Sequence, residues 1–302
     1  MPISPTRPLA ILYEHPTWFE PLFAELERQG VPYEAVNARE DAFDLSATSC
    51  PYGAVLNRMS ASAWLRGDAE VLVDAKHWLE HLWRLRVPVI NGLDAFKLEI
   101  SKAAQLELLE RLDLPHPESR IVRQAAQAAR AAEDLRFPVV VKPNVGGTGA
   151  GIVEYATPEA LAEAASSGAI ELGVDGTGLV QEKVPVEGSA VVRIEVLGDD
   201  VLYAIRTDTT GCGFNVCPAD LADPESAVEA FEPPDEIVGQ ALGIAAAGRI
   251  DVAGIEYLVD ARTGQHLFFD INVLSNYVKG AEGVVGFDPW ARLVAWVVER
   301  VG

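Results

Sequence analysis

Lysine is scarce in this chain: of its 24 basic residues only Lys76, Lys97, Lys102, Lys142, Lys183 and Lys279 are lysines, and the rest are arginines. Genome composition is the usual reason for such a bias, but it makes each lysine worth locating. Cysteine is scarcer still. Cys50, Cys212 and Cys217 are too few and too irregularly spaced for a disulfide framework. A lone Cys-x4-Cys without further ligands nearby is a weak zinc signal, so free thiols in a reducing cytoplasm are expected. No apolar run is long enough to span a bilayer as a helix. Residues 1–8 hold Arg7 but no apolar segment after it, so no secretory signal is read there. Positive charge is short overall. A net charge of −21 repels nucleic acid and anionic lipid, and neither is an expected partner.

What is present is a soluble-protein composition, 49% hydrophobic and 23% charged, over 302 residues, enough for two or three domains. Residues 1–95 alternate strand-like and helix-like segments, which predicts a small parallel α/β unit. Its strand candidates are 9–13, 33–37, 53–57 and 87–90. A helix capped by Thr17 is expected through Gln29, and a long amphipathic helix over 68–85. Ser101 reads as the N-cap of a helix over 102–112. Residues 120–183 read as strands, an alanine-rich helix and a helix after Pro158. After Ser189 two hairpins are expected, one turning at Gly198-Asp199-Asp200 and one near Thr263. Asp288-Pro289 reads as the start of a terminal helix. The expected units are 1–95, 96–184 and 185–302.

Between the strand-like runs 138–142 and 152–155 lies a loop with four glycines in six residues, Gly146, Gly147, Gly149 and Gly151. Without Cβ atoms such a loop can lay backbone N–H groups against phosphates. It is not a strand-to-helix turn, it lacks Gly-Lys-Ser/Thr, and its glycines do not fit G-x-G-x-x-G. A glycine hairpin with no ligand would read the same way.

A turn centred on Thr263 sets Glu256 opposite Asp270, and alternation puts Phe268, Asp270 and Asn272 on one face. Facing carboxylates repel, and apolar neighbours raise the cost of both charges. A divalent cation would resolve this, because carboxylate and amide oxygens suit Mg²⁺. A solvent-facing strand in a very acidic protein is the other reading.

The order of these features resembles the ATP-grasp superfamily, closest to carboxylate–amine ligases such as ribosomal-protein glutamate ligases and glutathione synthetases. The resemblance covers about residues 91–302, and it implies an α/β (α+β) ATP-grasp fold behind a Rossmann-like N-terminal domain. It also implies roles. Lys102 and Lys142 would contact phosphates, and 146–151, including Thr148, would be the mobile loop over them. Gln181, Glu182, Lys183 and Val184 would be the hinge that reads adenine. Arg193 would contact the transferring phosphate, making Arg193 and Lys142 the catalytic candidates. Glu256, Asp270 and Asn272 would hold Mg²⁺, or Mn²⁺.

The chain departs from the family pattern in three places. Val191 occupies about the position of a ribose-binding acid, with Glu187 the candidate substitute. The run after Asn272 reads Val-Leu-Ser-Asn-Tyr-Val-Lys279 where many ligases have x-x-Pro-Gly. Gly254 stands where some relatives carry an arginine. Arg206, Asn215, Ser275 and Asn276 are candidates for substrate contact.

The implied reaction joins a small carboxylate to an amine, an amino acid or peptide, through an acyl phosphate, releasing ADP and phosphate. The resemblance also implies a homo-oligomer, a dimer or tetramer. A small-molecule kinase on the same fold, or an ATP-binding protein without catalysis, would carry the same motifs.

Overall fold

The computed structural model describes residues 3–15, 17–40, 42–67, 69–210 and 227–302. Asn215, Cys212 and Cys217 lie outside them.

The first unit is a four-stranded parallel sheet of β1 (Leu9–Tyr13), β2 (Tyr33–Asn37), β3 (Ala54–Asn57) and β4 (Val89–Ile90), in the order β2-β1-β3-β4. Its central strands β1 and β3 are buried on both faces because both are covered. Helix α1 (Glu20–Arg28) lies on one face and α2 (Glu70–Arg84) on the other. Helix α1 begins three residues after Thr17. The backbone N–H groups of Thr17 and Trp18 donate to His15 Nδ1 at 3.3 and 3.2 Å. The resulting turn occupies the residues expected to open the helix, and it stacks Trp18 on His15 with ring centroids 3.9 Å apart.

Helices α3 (Leu93–Glu99) and α4 (Lys102–Arg111) follow. Ser101 caps α4 as expected, its Oγ accepting from Ala104 N at 3.1 Å. The second sheet is antiparallel, in the order β5-β8-β6-β7. It contains β5 (Ser119–Val122), β6 (Val139–Pro143), β7 (Val153–Tyr155) and β8 (Gly178–Glu182). Helices α5 (Ala128–Ala131) and α6 (Pro158–Ser167) cover one face. The glycine loop joins β6 to β7.

The third sheet, also antiparallel, runs β11-β10-β9-β12-β13. Its strands are β9 (Val186–Leu197), β10 (Asp200–Asp208), β11 (Val228–Ala230), β12 (Val252–Asp260) and β13 (His266–Asn272). Helix α7 (Asp235–Gly248), with α3 and α4, covers one face. Helix α4 thus packs on the third sheet and α3 lies between it and the first unit, so we infer that the second unit starts near Ser119 rather than at 96. Helices α8 (Ala281–Val285) and α9 (Pro289–Val301) return to the first unit, where α9 packs on α1 in a shared core.

One residue stitches the first sheet to the third. Asn91, 1% exposed, donates through Nδ2 to the carbonyls of Val252 (2.7 Å) and Val273 (2.9 Å). Its Oδ1 accepts from the N–H groups of Asp251 (2.8 Å) and Val252 (3.0 Å). Its φ of +53° is the left-handed conformation that asparagine tolerates better than most residues.

Candidate active site

A cavity of about 560 Å³ lies where the three sheets meet. Residues of β9, β12 and β13 form its floor. The second sheet and the glycine loop roof it, and the first unit closes one end.

The register of β12 and β13 pairs Glu256 with Asp270 directly. A bulge follows, so that Tyr257 pairs with Phe268 and Phe269 is the extra residue. This corrects the simple alternation. Phe268 turns into the core beneath α4, whereas Phe269 lines the cavity beside Asp270. A bulge re-aims side chains in this way, and here it replaces one aromatic wall by another.

Glu256 is 4% exposed and Arg193 5%. Arg193 Nη1 donates to Glu256 Oε1 at 2.7 Å, Nε donates to Glu195 Oε1 at 2.6 Å, and Nη2 donates to Ser275 Oγ at 2.9 Å. Ser275 Oγ donates in turn to Glu195 Oε2 at 2.5 Å. Lys102 Nζ donates to Asp270 Oδ1 at 2.5 Å. Asn272 Nδ2 donates to Glu256 Oε1 at 3.3 Å. The two carboxylates are therefore neutralised by Lys102 and Arg193.

Burial pushes the Glu256 carboxyl up to about 7 against the pull of Arg193. Burial also opposes ionisation of Asp270, but Lys102, Lys142 and Arg193 outweigh it and hold that carboxyl below its usual value. Lys142, 6% exposed on β6, is lowered to about 7 by burial and by the charge of Lys102. Asp270 pulls the other way, and an anion bound at this cavity wall would raise it further.

Gly254 explains how Arg193 fits. It sits on β12 opposite Glu195 and Asn272, and a Cβ there would overlap the Arg193 guanidinium. An arginine at this position would have no room, because Arg193 fills that space from the neighbouring strand.

The glycine loop is seated on the first unit. A Cβ at Gly147 would lie 2.7 Å from Ser62 Cβ. Thr148, Gly149 and Gly151 have φ of +51°, +72° and +74°. Ala150 N donates to Gly147 O at 3.0 Å, closing a turn over the cavity.

Of the residues expected to bind nucleotide or metal, Lys102, Lys142, Gly146, Gly147, Thr148, Gly149, Gln181, Glu182, Lys183, Val184, Arg193, Glu256, Asp270 and Asn272 line this one cavity. Asn276 lines it too. Gly151 serves the turn rather than the wall. Glu187 is exposed and is not part of the lining, so the ribose-acid substitution has no geometric support. Arg206 pairs loosely with Glu229 at 3.7 Å on the outer strands, away from the lining. Ser275 is fully buried beneath the wall, where it holds Arg193 and accepts from Arg58 Nη2 through its carbonyl at 2.5 Å.

Sequence reasoning missed Trp18, Ser60, Ser62 and Glu99, all of which line the cavity. It also missed Val140, Leu258 and Phe269, which wall the end near the 181–184 segment. Nothing local marks them, because the cavity is made by sheets far apart in the chain. Among the described residues no set of three His, Cys, Asp or Glu is arranged for a metal. The candidate set here is two carboxylates and an amide.

An antiparallel sheet roofing a second antiparallel sheet, with a glycine hairpin over lysines and facing carboxylates, defines the ATP-grasp architecture. Residues 100–297 match the RimK-like ATP-grasp domain, and the chain belongs to that family of ATP-grasp ligases.

The carbamoyl phosphate synthase large chain of Thermus thermophilus is 29% identical over 216 residues, 67% of this chain but 20% of that protein. The corresponding large chain of Thermotoga sp. (strain RQ2) is 29% identical over 193 residues, 60% of this chain and 17% of that one. The chain thus spans about a fifth of these curated relatives.

Two solved structures share the fold over nearly the whole length. The ATP-grasp ligase PsnB with its minimal precursor has a TM-score of 0.69 at 18% identity, covering 99% of this chain and 100% of that one. The D-cycloserine synthetase DcsG has a TM-score of 0.72 at 17% identity, covering 97% and 99%.

Proposed function

We propose that this protein is an ATP-dependent carboxylate–amine ligase that works through an acyl phosphate. The observation that carries this reading is the convergence of Glu256, Asp270, Asn272, Lys102, Lys142 and Arg193 in one cavity, beneath a glycine loop. Buried facing carboxylates are costly without a cation. In this structure Lys102 and Arg193 supply one, and Lys102 would turn to phosphate oxygens when a metal takes the carboxylates while Arg193 stays in place.

The adenine ring would lie between Val140, Val184, Leu258 and Phe269, with 181–184 along its edge. The phosphates would then lie toward Lys102, Lys142 and the glycine loop. Glu256, Asp270 and Asn272 fit a hard divalent cation, and they would hold Mg²⁺ or Mn²⁺, which neutralises phosphate charge when bound.

In the first step the γ-phosphoryl group passes from ATP to an oxygen of the substrate carboxylate, and ADP is the leaving group. In the second, an amine attacks the acyl carbon, loses a proton and expels phosphate, leaving an amide. Phosphoryl transfer needs positioning and charge neutralisation more than covalent help. Lys142 would hold a proton in the presence of the phosphates. Arg193, fixed by Glu195 and Ser275, would face the transferring group as a preorganised donor. The loop seated on Ser62 would exclude water, which otherwise hydrolyses the acyl phosphate.

The substrates we infer are an amino acid or peptide amine and a small carboxylate. PsnB, which shares the fold, is seen with a precursor peptide. Among the described residues no helix is long and apolar enough to cross a membrane. We infer the reducing cytoplasm as the compartment and, from the family, a homo-oligomer. The test is an ADP-release screen over carboxylates and amines taken in pairs, with mass spectrometry of the products. An amide formed only when both are present supports the reading. A stable phosphate ester formed without amine identifies a kinase instead.

A further inference from the structure

Beyond the phosphate cations the cavity continues to an end walled by the first unit. The order β2-β1-β3-β4 means that the chain leaves β1 on one side and crosses to β3 on the other. The carboxyl ends of β1 and β3 therefore flank a topological switch point, the crevice where parallel sheets receive ligands. Trp18, after β1, and Ser60 and Ser62, after β3, line the cavity here, and Glu99, Leu274 and Asn276 close it from the other side.

This end offers acceptors. Among the described residues the cations that line the cavity are Lys102, Lys142, Lys183 and Arg193, of which Lys102 feels the Glu99 charge, as does the buried Arg58 behind the wall. The nearby Arg66 is engaged by the buried Glu14 carboxylate, and it also donates to Ser62 Oγ at 3.3 Å. The Glu99 oxygens each accept one backbone N–H, from Ala61 and Leu274, both at 3.0 Å, which leaves lone pairs on both. The Ser60 and Ser62 hydroxyls share one hydrogen bond of 2.8 Å, and Ser60 Oγ also accepts from Ser62 N at 3.1 Å, so with Arg66 on Ser62 Oγ one lone pair remains between them. Asn276 Oδ1 is buried and accepts no hydrogen bond. A buried carbonyl oxygen without a donor is costly, and a bound donor removes that cost.

We propose that this crevice seats the amine substrate as a primary ammonium, received by Asn276 Oδ1, one hydroxyl of the Ser60–Ser62 pair and the open lone pairs of Glu99. The proposal rests on the ligase reading. An ammonium carries three donors and no acceptor, the complement of this wall. A carboxylate would meet the Glu99 charge and the Asn276 lone pairs instead. The net charge of −21 concentrates cations around the protein and so favours their entry.

The experiment is saturation-transfer NMR with n-butylammonium and with butyrate on the full chain, in wild type and in Asn276→Leu and Asn276→Asp. Loss of a hydrogen bond to a charged group predicts at least about tenfold weaker butylammonium binding in Asn276→Leu. Asn276→Asp binds it more tightly than wild type, and butyrate responds less than butylammonium to either change. Equal butylammonium binding in wild type and Asn276→Leu overturns the proposal, and so does weaker binding in Asn276→Asp, which needs no assumption about the leucine variant's folding. The ligase reading fails by a different readout: wild type with Mg-ATP, hydroxylamine and a carboxylate panel yields no hydroxamate. In that case the ammonium seat stands as a binding site without amide chemistry.

Discussion

Replacing Gly254 by alanine sets a methyl group where the Arg193 guanidinium lies. Neither neighbour yields easily. Gly254 is fixed between β9 and β13, and Arg193 is held by Glu195, Glu256 and Ser275 at 2.6, 2.7 and 2.9 Å. Overpacking alone costs about 1–3 kcal/mol. If the guanidinium is expelled, Glu195 and Glu256, 1% and 4% exposed, lose their buried cation. Breaking a buried pair on one side costs about 3–5 kcal/mol. We expect a total near the upper range, about 3–5 kcal/mol, which lowers the melting temperature by about 5–8 °C at this chain length. Urea unfolding gives the free energy directly. The decisive comparison is with Arg193→Ala. In that background Gly254→Ala meets no guanidinium and adds less than about 1 kcal/mol, so the two changes are strongly non-additive. Additive losses, or a Gly254→Ala protein as stable as wild type, would refute the packing argument.

Gly147→Val should prevent the loop from seating on Ser62 and lower kcat/KM by at least about tenfold, and Ser62→Gly in the same chain should restore part of it, read by ADP release. Lys142 gives a pH signature. The unfolded chain holds its proton below about 10.5 and the folded chain only below about 7, so stability rises with pH across that window. The difference is worth about 5 kcal/mol, and Lys142→Met should remove that slope when urea unfolding is compared at pH 7 and pH 9.5. Asn91→Ala strands four backbone groups at the third sheet, and we expect a loss of at least about 3 kcal/mol in urea unfolding. Asp270→Ala should reduce Mg-dependent ADP release by at least about a hundredfold while the far-UV circular dichroism stays native.

Much of this was legible because it is local. The Ser101 and Asp288 caps follow from residue type, and both side chains accept from the expected N–H groups. The pairing of Glu256 with Asp270 follows from counting outward from a turn at Thr263. The bulge at Phe269 is invisible to that counting, because one inserted residue changes which aromatic faces the cavity without changing the composition. The late start of α1 depends on a histidine nitrogen accepting two backbone donors. Asn91 carries no more signal than any Asn-Gly turn, since its four hydrogen bonds reach strands about 160 to 180 residues away. Trp18, Ser60 and Ser62 follow short strands of the first unit, and only the fold brings them to the cavity that Lys102 and Lys142 line.

The central claim is an acyl phosphate formed beneath the glycine loop. The measurement that tests it most directly uses a carboxylate labelled with ¹⁸O in both oxygens, with Mg-ATP and the amine identified by the screen. An acyl phosphate carries one carboxylate oxygen into the phosphate that the amine expels, so the account predicts one ¹⁸O in each inorganic phosphate released. Amide formed together with unlabelled phosphate would contradict it.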